Sequence, residues 1–171
     1  MKISKLFHDS NLVIEYSLPG ISEDVFKQYL PFDFLGKNEL FNLYSSMNGG
    51  YFSKGAYFYR DIFYDIPHGY YNAMEIESFY FIPEKNLYSD ALRSIPEVWQ
   101  LRKNNLSAIT DFYDCRIPFA GDAGDHDFCL NINSGKIEYF KLGLNKEEDE
   151  CVIVAPSFRD FCTNIQSTRR K

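Results

Sequence analysis

A chain of 171 residues, 45% of them hydrophobic and 25% charged, has the size and balance of one soluble globular domain. The net charge of −6 is unevenly spread: Arg169, Arg170 and Lys171 contribute +3, which leaves −9 on the rest. So acidic a body repels nucleic-acid phosphates, favours basic partners and argues against a nucleic-acid-binding class. The chain carries 16 Phe, 13 Tyr and 1 Trp. Strands favour aromatic residues, and a tyrosine keeps its hydroxyl near water or a partner, so a sheet with tyrosines at its surface is expected. Cys115, Cys129, Cys151 and Cys162 show no CxxC spacing. Zinc and redox signatures are therefore absent, and buried reduced thiols in a cytosolic protein are expected. The N-terminus MKISKLFHDS has no apolar run suited to a signal peptide, and no segment is apolar enough to span a membrane.

In chain order, Leu12–Ile14 opens a short strand that Leu18-Pro19-Gly20 closes. Ser22 is an N-cap, with Glu23 and Asp24 placed where a helix dipole favours acids. Val25, Phe26, Tyr29 and Leu30 recur at helical spacing until Pro31. A second helix is predicted over Lys37–Met47, its apolar face made by Leu40, Phe41, Leu43, Tyr44 and Met47. Asn48-Gly49-Gly50 ends it, because these residues tolerate left-handed backbone, and a strand follows at Tyr51-Phe52. Residues 51–71 are dense in aromatics, with Arg60, Asp61, Asp65 and His68 interleaved and Gly55, Pro67 and Gly69 as punctuation. Short strands joined by an irregular loop suit this composition. Stacking on nucleic-acid bases also needs a basic groove, and Lys54 and Arg60 are too few to make one.

Met74–Ile82 reads as a strand with a bend, stopped by Pro83. Leu87–Asn104 is helical in pattern, with a break or a new start at Pro96 and Trp99 as a core anchor. Asp114–Phe119 and Asp127–Ile132 are strands around a loop of Gly and Asp, and Asn133-Ser134-Gly135 is a hairpin turn needing positive φ before a strand over Lys136–Leu142. Lys146–Glu150 is a solvated acidic loop, and Cys151–Ala155 is an apolar strand of the mid-sheet kind. Pro156-Ser157 begins a last helix with Phe158, Phe161, Cys162 and Ile165 on one face, and residues 166–171 form a frayed basic tail.

Three signals fall in one order: Leu30-Pro31, a helix and Asn48-Gly49-Gly50; then Ile117–Asp125 with Phe128–Asn133 and Gly135-Lys136-Ile137; then Ala155-Pro156-Ser157-Phe158 with Phe161 one turn on. In this order and spacing the chain resembles the SUKH superfamily, which includes fungal cell-wall-assembly regulators and many bacterial immunity proteins. The resemblance covers residues 22–165 of a single domain spanning 1–171. It implies an α+β fold, a twisted and largely antiparallel sheet packed against helices, and a non-enzymatic role without a cofactor: neutralising a toxin domain, often a nuclease, by binding it. Two features depart from the family pattern. The stretch 51–71 is richer in aromatics, and the glycine-rich loop carries Asp125-His126-Asp127.

Asp122, Asp125, His126 and Asp127 are the one dense carboxylate–imidazole cluster. Hard cations take several oxygens from a flexible loop and transition metals accept imidazole, so the cluster keeps a metal-dependent hydrolase in view. Against it, Gly124-Asp125 and His126-Asp127 are similar to metallophosphatase segments without the further segments those sites need, and period-two alternation sends Asp127 and Phe128 to opposite faces. Gly and Asp are also what a tight turn requires. Asp125 and His126 are the members turn chemistry explains least, and they are expected to form an exposed pair. No nucleophile elbow or P-loop is present. The reading favoured is an immunity protein that covers the basic cleft of a cognate toxin, with Tyr57, Tyr59, Asp61 and Asp65 forming one part of the surface and Asp125 and His126 another. A scaffold or regulatory interaction domain is the alternative. The oligomeric state is not legible.

Overall fold

The computed structural model describes residues 5–67, 70–104, 111–142 and 150–171. Its strands are β1 (Ile14–Glu15), β2 (Leu18–Pro19), β3 (Met47–Asn48), β4 (Gly50–Phe52), β5 (Tyr57–Tyr59), β6 (Ala73–Glu75), β7 (Ser78–Phe79), β8 (Arg116–Gly121), β9 (Asp127–Asn131), β10 (Ile137–Lys141) and β11 (Glu150–Ala155). Its α-helices are α1 (Glu23–Tyr29), α2 (Lys37–Ser46), α3 (Ile95–Asn104) and α4 (Phe158–Thr163). Seven strands pair antiparallel in the order β1-β4-β7-β8-β9-β10-β11, and β2-β3 and β5-β6 form two small ladders. This is the α+β class expected, an antiparallel sheet with helices packed on it.

The centre is the β8-β9-β10 meander. Its register sets Ile117 and Ile137 on either side of Leu130. The turn forms as its residues require: Gly135 has φ +73°, and Asn131 Oδ1 accepts from the amides of Asn133 and Ser134 at 3.0 and 3.2 Å. On one face, Phe158 and Phe161 of α4 meet the sheet, with Phe119–Phe158 ring centres 5.1 Å apart and Phe128–Phe161 at 5.5 Å. Burying such rings contributes about 1.5–3 kcal/mol each. The other face packs Tyr113, Cys129 and Phe140, with Trp99 of α3 against them.

The caps behave as their chemistry dictates. Ser22 Oγ accepts from Val25 N at 3.3 Å, and Ser157 Oγ accepts from Asp160 N at 3.0 Å. α2 ends at Ser46 and not at Met47: its C-cap Met47 is already extended, at φ −152° and ψ 136°. Asn48 pairs in β3 and so does not close the helix in a left-handed conformation as expected. Fully buried, it donates from Nδ2 to Ile82 O at 2.8 Å and accepts at Oδ1 from Ile82 N at 2.7 Å, standing in for a strand neighbour. Gly49, at φ +72°, has room for no side chain, since a Cβ there would lie 2.9 Å from Phe81 Cβ.

Several expectations need correction. The segment 74–82 is not one bent strand: β6 pairs with β5 and β7 pairs in the large sheet, so the chain changes ladders at Ile76-Glu77. The helix over 87–104 begins only at Ile95. Ser94 Oγ accepts from Glu97 N at 3.2 Å, and Pro96 sits in the first turn, where its missing donor costs nothing. Asp114 and Cys115 belong to a 3-10 turn before β8. The apolar run CVIVA lies at the sheet's edge, not its middle, because apolar content alone does not separate the two. Its outward Ile153 is 38% exposed, and Arg60 Nε closes the edge by donating to Ile153 O at 2.6 Å. Alternation along this edge strand also exposes Cys151, and Cys115 is half-buried, so only Cys129 and Cys162 are the buried thiols expected. Trp99 is only half-buried, its Nε1 donating to Tyr113 O at 2.7 Å. The tail is not frayed: Gln166 pairs with Tyr57, and Ser167 donates from its amide and its hydroxyl to Asp9 Oδ2, both at 2.7 Å. His68 and residues 146–149 of the expected acidic loop lie outside the described residues.

Candidate functional site

The acidic loop joins β8 to β9. Asp122 shapes it: Oδ1 accepts from the amides of Gly124 and His126 at 2.9 and 3.0 Å, and Oδ2 accepts from Tyr139 OH at 2.6 Å. Asp125 takes the left-handed backbone, φ +64°, and its carboxylate receives Arg93 Nη1 at 2.5 Å and Arg102 Nη2 at 3.1 Å. Arg102 also donates to Asp125 O at 3.0 Å. His126 is half-buried and its Nδ1 accepts from Leu142 N at 2.9 Å, which puts the ring proton on Nε2. Asp125 is thus exposed but paired, and His126 is tied to the backbone.

Asp127 is the group that composition conceals. It is fully buried and accepts four hydrogen bonds: Arg102 Nε at 2.7 Å and Tyr113 OH at 2.5 Å on Oδ2, Tyr80 OH at 2.8 Å and Arg102 Nη2 at 3.2 Å on Oδ1. A buried carboxylate is tolerable only when paired and bonded in this way. Burial, followed by the effect of this carboxylate, pushes the Tyr80 phenol well above its ordinary value; the Tyr113 phenol is raised by burial first, then by Cys129 and Asp127. Burial opposes the charge of Arg102, but Asp127 outweighs it and holds the guanidinium more firmly protonated than usual. Asp127 reaches α3 while Phe128 reaches α4, the opposite faces that strand alternation requires. Among the described residues, no group of three or more His, Cys, Asp or Glu could hold a metal ion.

The stretch 57–75 is arranged differently. Tyr57 is half-buried in β5, facing Glu75 of β6. Asp65 is exposed and makes no ion pair among the described residues. Tyr59 keeps only 4% of its surface; Arg170 of the tail lies over its ring at 4.1 Å and donates from its backbone N–H to the hydroxyl at 2.5 Å. Arg170 Nη1 also donates to both oxygens of Asp61, at 2.8 and 3.1 Å. Asn72 completes the arrangement: its Nδ2 donates to Asp61 Oδ2 and its Oδ1 accepts from Asp61 N, both at 2.9 Å. The Asn72 amide, and after it Arg170, hold the Asp61 carboxyl below its ordinary value. An exposed ion pair contributes about 0–1 kcal/mol and an exposed cation–π contact about 0.5–1 kcal/mol, so this latch is weak.

Beside it lie two adjoining cavities. One, of about 590 Å³, is lined by Tyr70, Tyr71, Asn72 and Ala73. The other, of about 210 Å³, shares Tyr71 and Ala73 and adds Met74, Glu75, Asp122, Phe128 and Tyr139. Tyr70 is 47% exposed and donates from its hydroxyl to Glu150 Oε2 at 2.9 Å. Tyr71 has φ +46°, a conformation side chains of its size avoid, and Arg60 Nη1 donates to its carbonyl at 3.3 Å. Aromatic walls with Glu75 and Asp122 in the lining, and with Asp61 and Glu150 bonded to the lining residues Asn72 and Tyr70, suit a cationic side chain. Tyr70, Tyr71, Asn72 and Glu75 escaped the sequence reading of the site; the paired tyrosines of the aromatic run are the one signal that pointed toward them.

The family model described as SMI1 / KNR4 family (SUKH-1) matches residues 37–164. The chain belongs to this family. The SUKH-1 match opens at the first residue of α2 and closes just after α4, so it includes the acidic loop, the Asp127 network and the groove of Tyr70 and Tyr71. It leaves out α1, which the resemblance over 22–165 had included. No curated protein and no solved structure matched the chain. No helix among the described residues is long and apolar enough to cross a membrane.

Proposed function

We propose that this SUKH-1 chain is an immunity protein, acting in the cytoplasm, that binds a cognate bacterial toxin protein and blocks it without catalysis. The observation that carries the reading is the open groove of Tyr70 and Tyr71 with carboxylates at Asp61, Glu75, Asp122 and Glu150 around it, on a chain of net charge −6. A toxin nuclease presents a basic cleft to phosphates. Carboxylates at the groove's rim match that cleft and speed encounter, while tyrosines supply anchor area at low entropic cost. Asp122 lines both the groove and a cavity of about 240 Å³ beside Arg93 and Asp125, and the proposed toxin-binding surface takes in Asp125 and His126 of this loop together with Tyr57, Tyr59, Asp61 and Asp65. The block is steric: the toxin's cleft is covered, and no bond of the toxin or of this chain is broken.

The reading is tested by co-expressing the chain with the C-terminal domain of a large secreted protein encoded beside it. Rescue of growth, with nanomolar binding of the purified pair, is expected. Growth arrest in the presence of well-folded protein, together with no binding at micromolar concentration, overturns it.

A further inference from the structure

The latch between the tail and β5 has the make-up of a recognition site. Arg170 Cζ lies over the Tyr59 ring, 4.1 Å from its centre, and Nη1 donates to both oxygens of Asp61 at 2.8 and 3.1 Å. Asn72 aims Asp61 by bonding both its side chain and its backbone amide at 2.9 Å. An aromatic face with a positioned carboxylate is what a guanidinium takes: one stacks on the plane and the other accepts from its fork. The occupant is exposed, with 42% of the side-chain surface open for both Arg170 and Asp61, so it leaves readily. Asn72 also lines the neighbouring groove of Tyr70 and Tyr71, which places this site at the groove's end.

We propose that Tyr59 and Asp61, positioned by Asn72, form an arginine-receiving site which Arg170 of the same chain fills in the unbound protein and an arginine of a basic partner protein takes over in the complex. This rests on the binding role proposed above and adds what that role lacks, a specific side chain of the partner and a resident competitor for its place. A site filled in cis binds more weakly by the fraction of time it is closed. Emptying a weak latch therefore raises affinity by roughly five- to thirty-fold.

The test titrates the peptide acetyl-Gly-Arg-Gly-amide, and its lysine counterpart, into the full chain and into Arg170→Ala, following backbone amide signals by NMR. The arginine peptide is expected to shift Tyr59, Asp61 and Asn72 and to bind Arg170→Ala roughly five- to thirty-fold tighter than the full chain. The lysine peptide binds more weakly, since an ammonium offers no planar fork. Asp61→Asn in the Arg170→Ala background abolishes the shifts. Equal affinity for the two chains, or shifts on another face, overturns the proposal. The titration contains no toxin, so the two readings fail separately: toxin binding without peptide binding removes the arginine site alone, and peptide binding without a toxin removes the immunity role alone.

Discussion

In the loop at 122–127 each of the three aspartates is occupied by the fold. Asp122 caps the turn, Asp125 receives two arginines, and Asp127 sits fully buried under four hydrogen bonds. Along 57–75 the same residue types face outward. Asp61 is held by a weak exposed latch, Asp65 and Glu75 are open to solvent, and Tyr70 is 47% exposed beside the groove. The denser cluster is the structural one, and the sparser one is where we propose that a partner binds. Burial separates them: a carboxylate inside the fold must be satisfied by the fold, whereas one at the surface keeps its hydration and its capacity to bind.

That contrast is broken most severely at Arg102. Arg102→Met strands the buried Asp127 charge, and denaturant unfolding is expected to show a loss of about 3–5 kcal/mol. A loss below about 1 kcal/mol places Asp127 outside the structural class. The matching change in the other region leaves the fold intact: Asp61→Lys with Asp65→Lys lowers stability by about 1 kcal/mol or less, through loss of the exposed pair with Arg170. The same pair of changes slows toxin association about tenfold or more in stopped-flow mixing at low salt. Toxin protection equal to that of the unaltered chain removes this patch from the binding surface.

The smallest effect concerns the tail. Asp9 is held below its ordinary value of 3.8 chiefly by the Ser167 backbone N–H, and Asp61 chiefly by the Asn72 amide. A carboxyl depressed in the docked state contributes above its ordinary value and loses that contribution as the pH falls through its lower, docked value. Ser167 and Arg170 amide shifts are therefore expected to stay constant from about pH 7 to about pH 5 and to move toward random-coil values only once the pH falls below the ordinary carboxyl value of 3.8. Release of the tail between about pH 5 and pH 7 contradicts the assigned contacts.

Much of the frame was legible because it rests on local rules. Ser22 and Ser157 are caps, Gly135 is needed for a left-handed turn, and the β8-β9-β10 meander follows from alternation. What stayed hidden depends on partners distant in sequence. The pairing of Asp127 with Arg102, Tyr80 and Tyr113 joins four parts of the chain, and strand alternation at Asp127 says which way it faces but not which partners bury it. Arg170 meets Tyr59 and Asp61 across 109 residues or more, so a basic end read as a tail is a ligand of the fold. The edge position of β11 was equally invisible, since CVIVA has no feature that says which strand lies beyond it.

We propose that the groove side of 57–75, and not the interior of the acidic loop, meets the partner. Hydrogen exchange of the chain alone and in complex with its toxin domain measures this directly. New protection is expected at 57–61 and 70–75, with the β9 amides next to Asp127 equally protected in both states. Protection confined to other faces, with 57–75 exchanging as fast in the complex as in the chain alone, contradicts it.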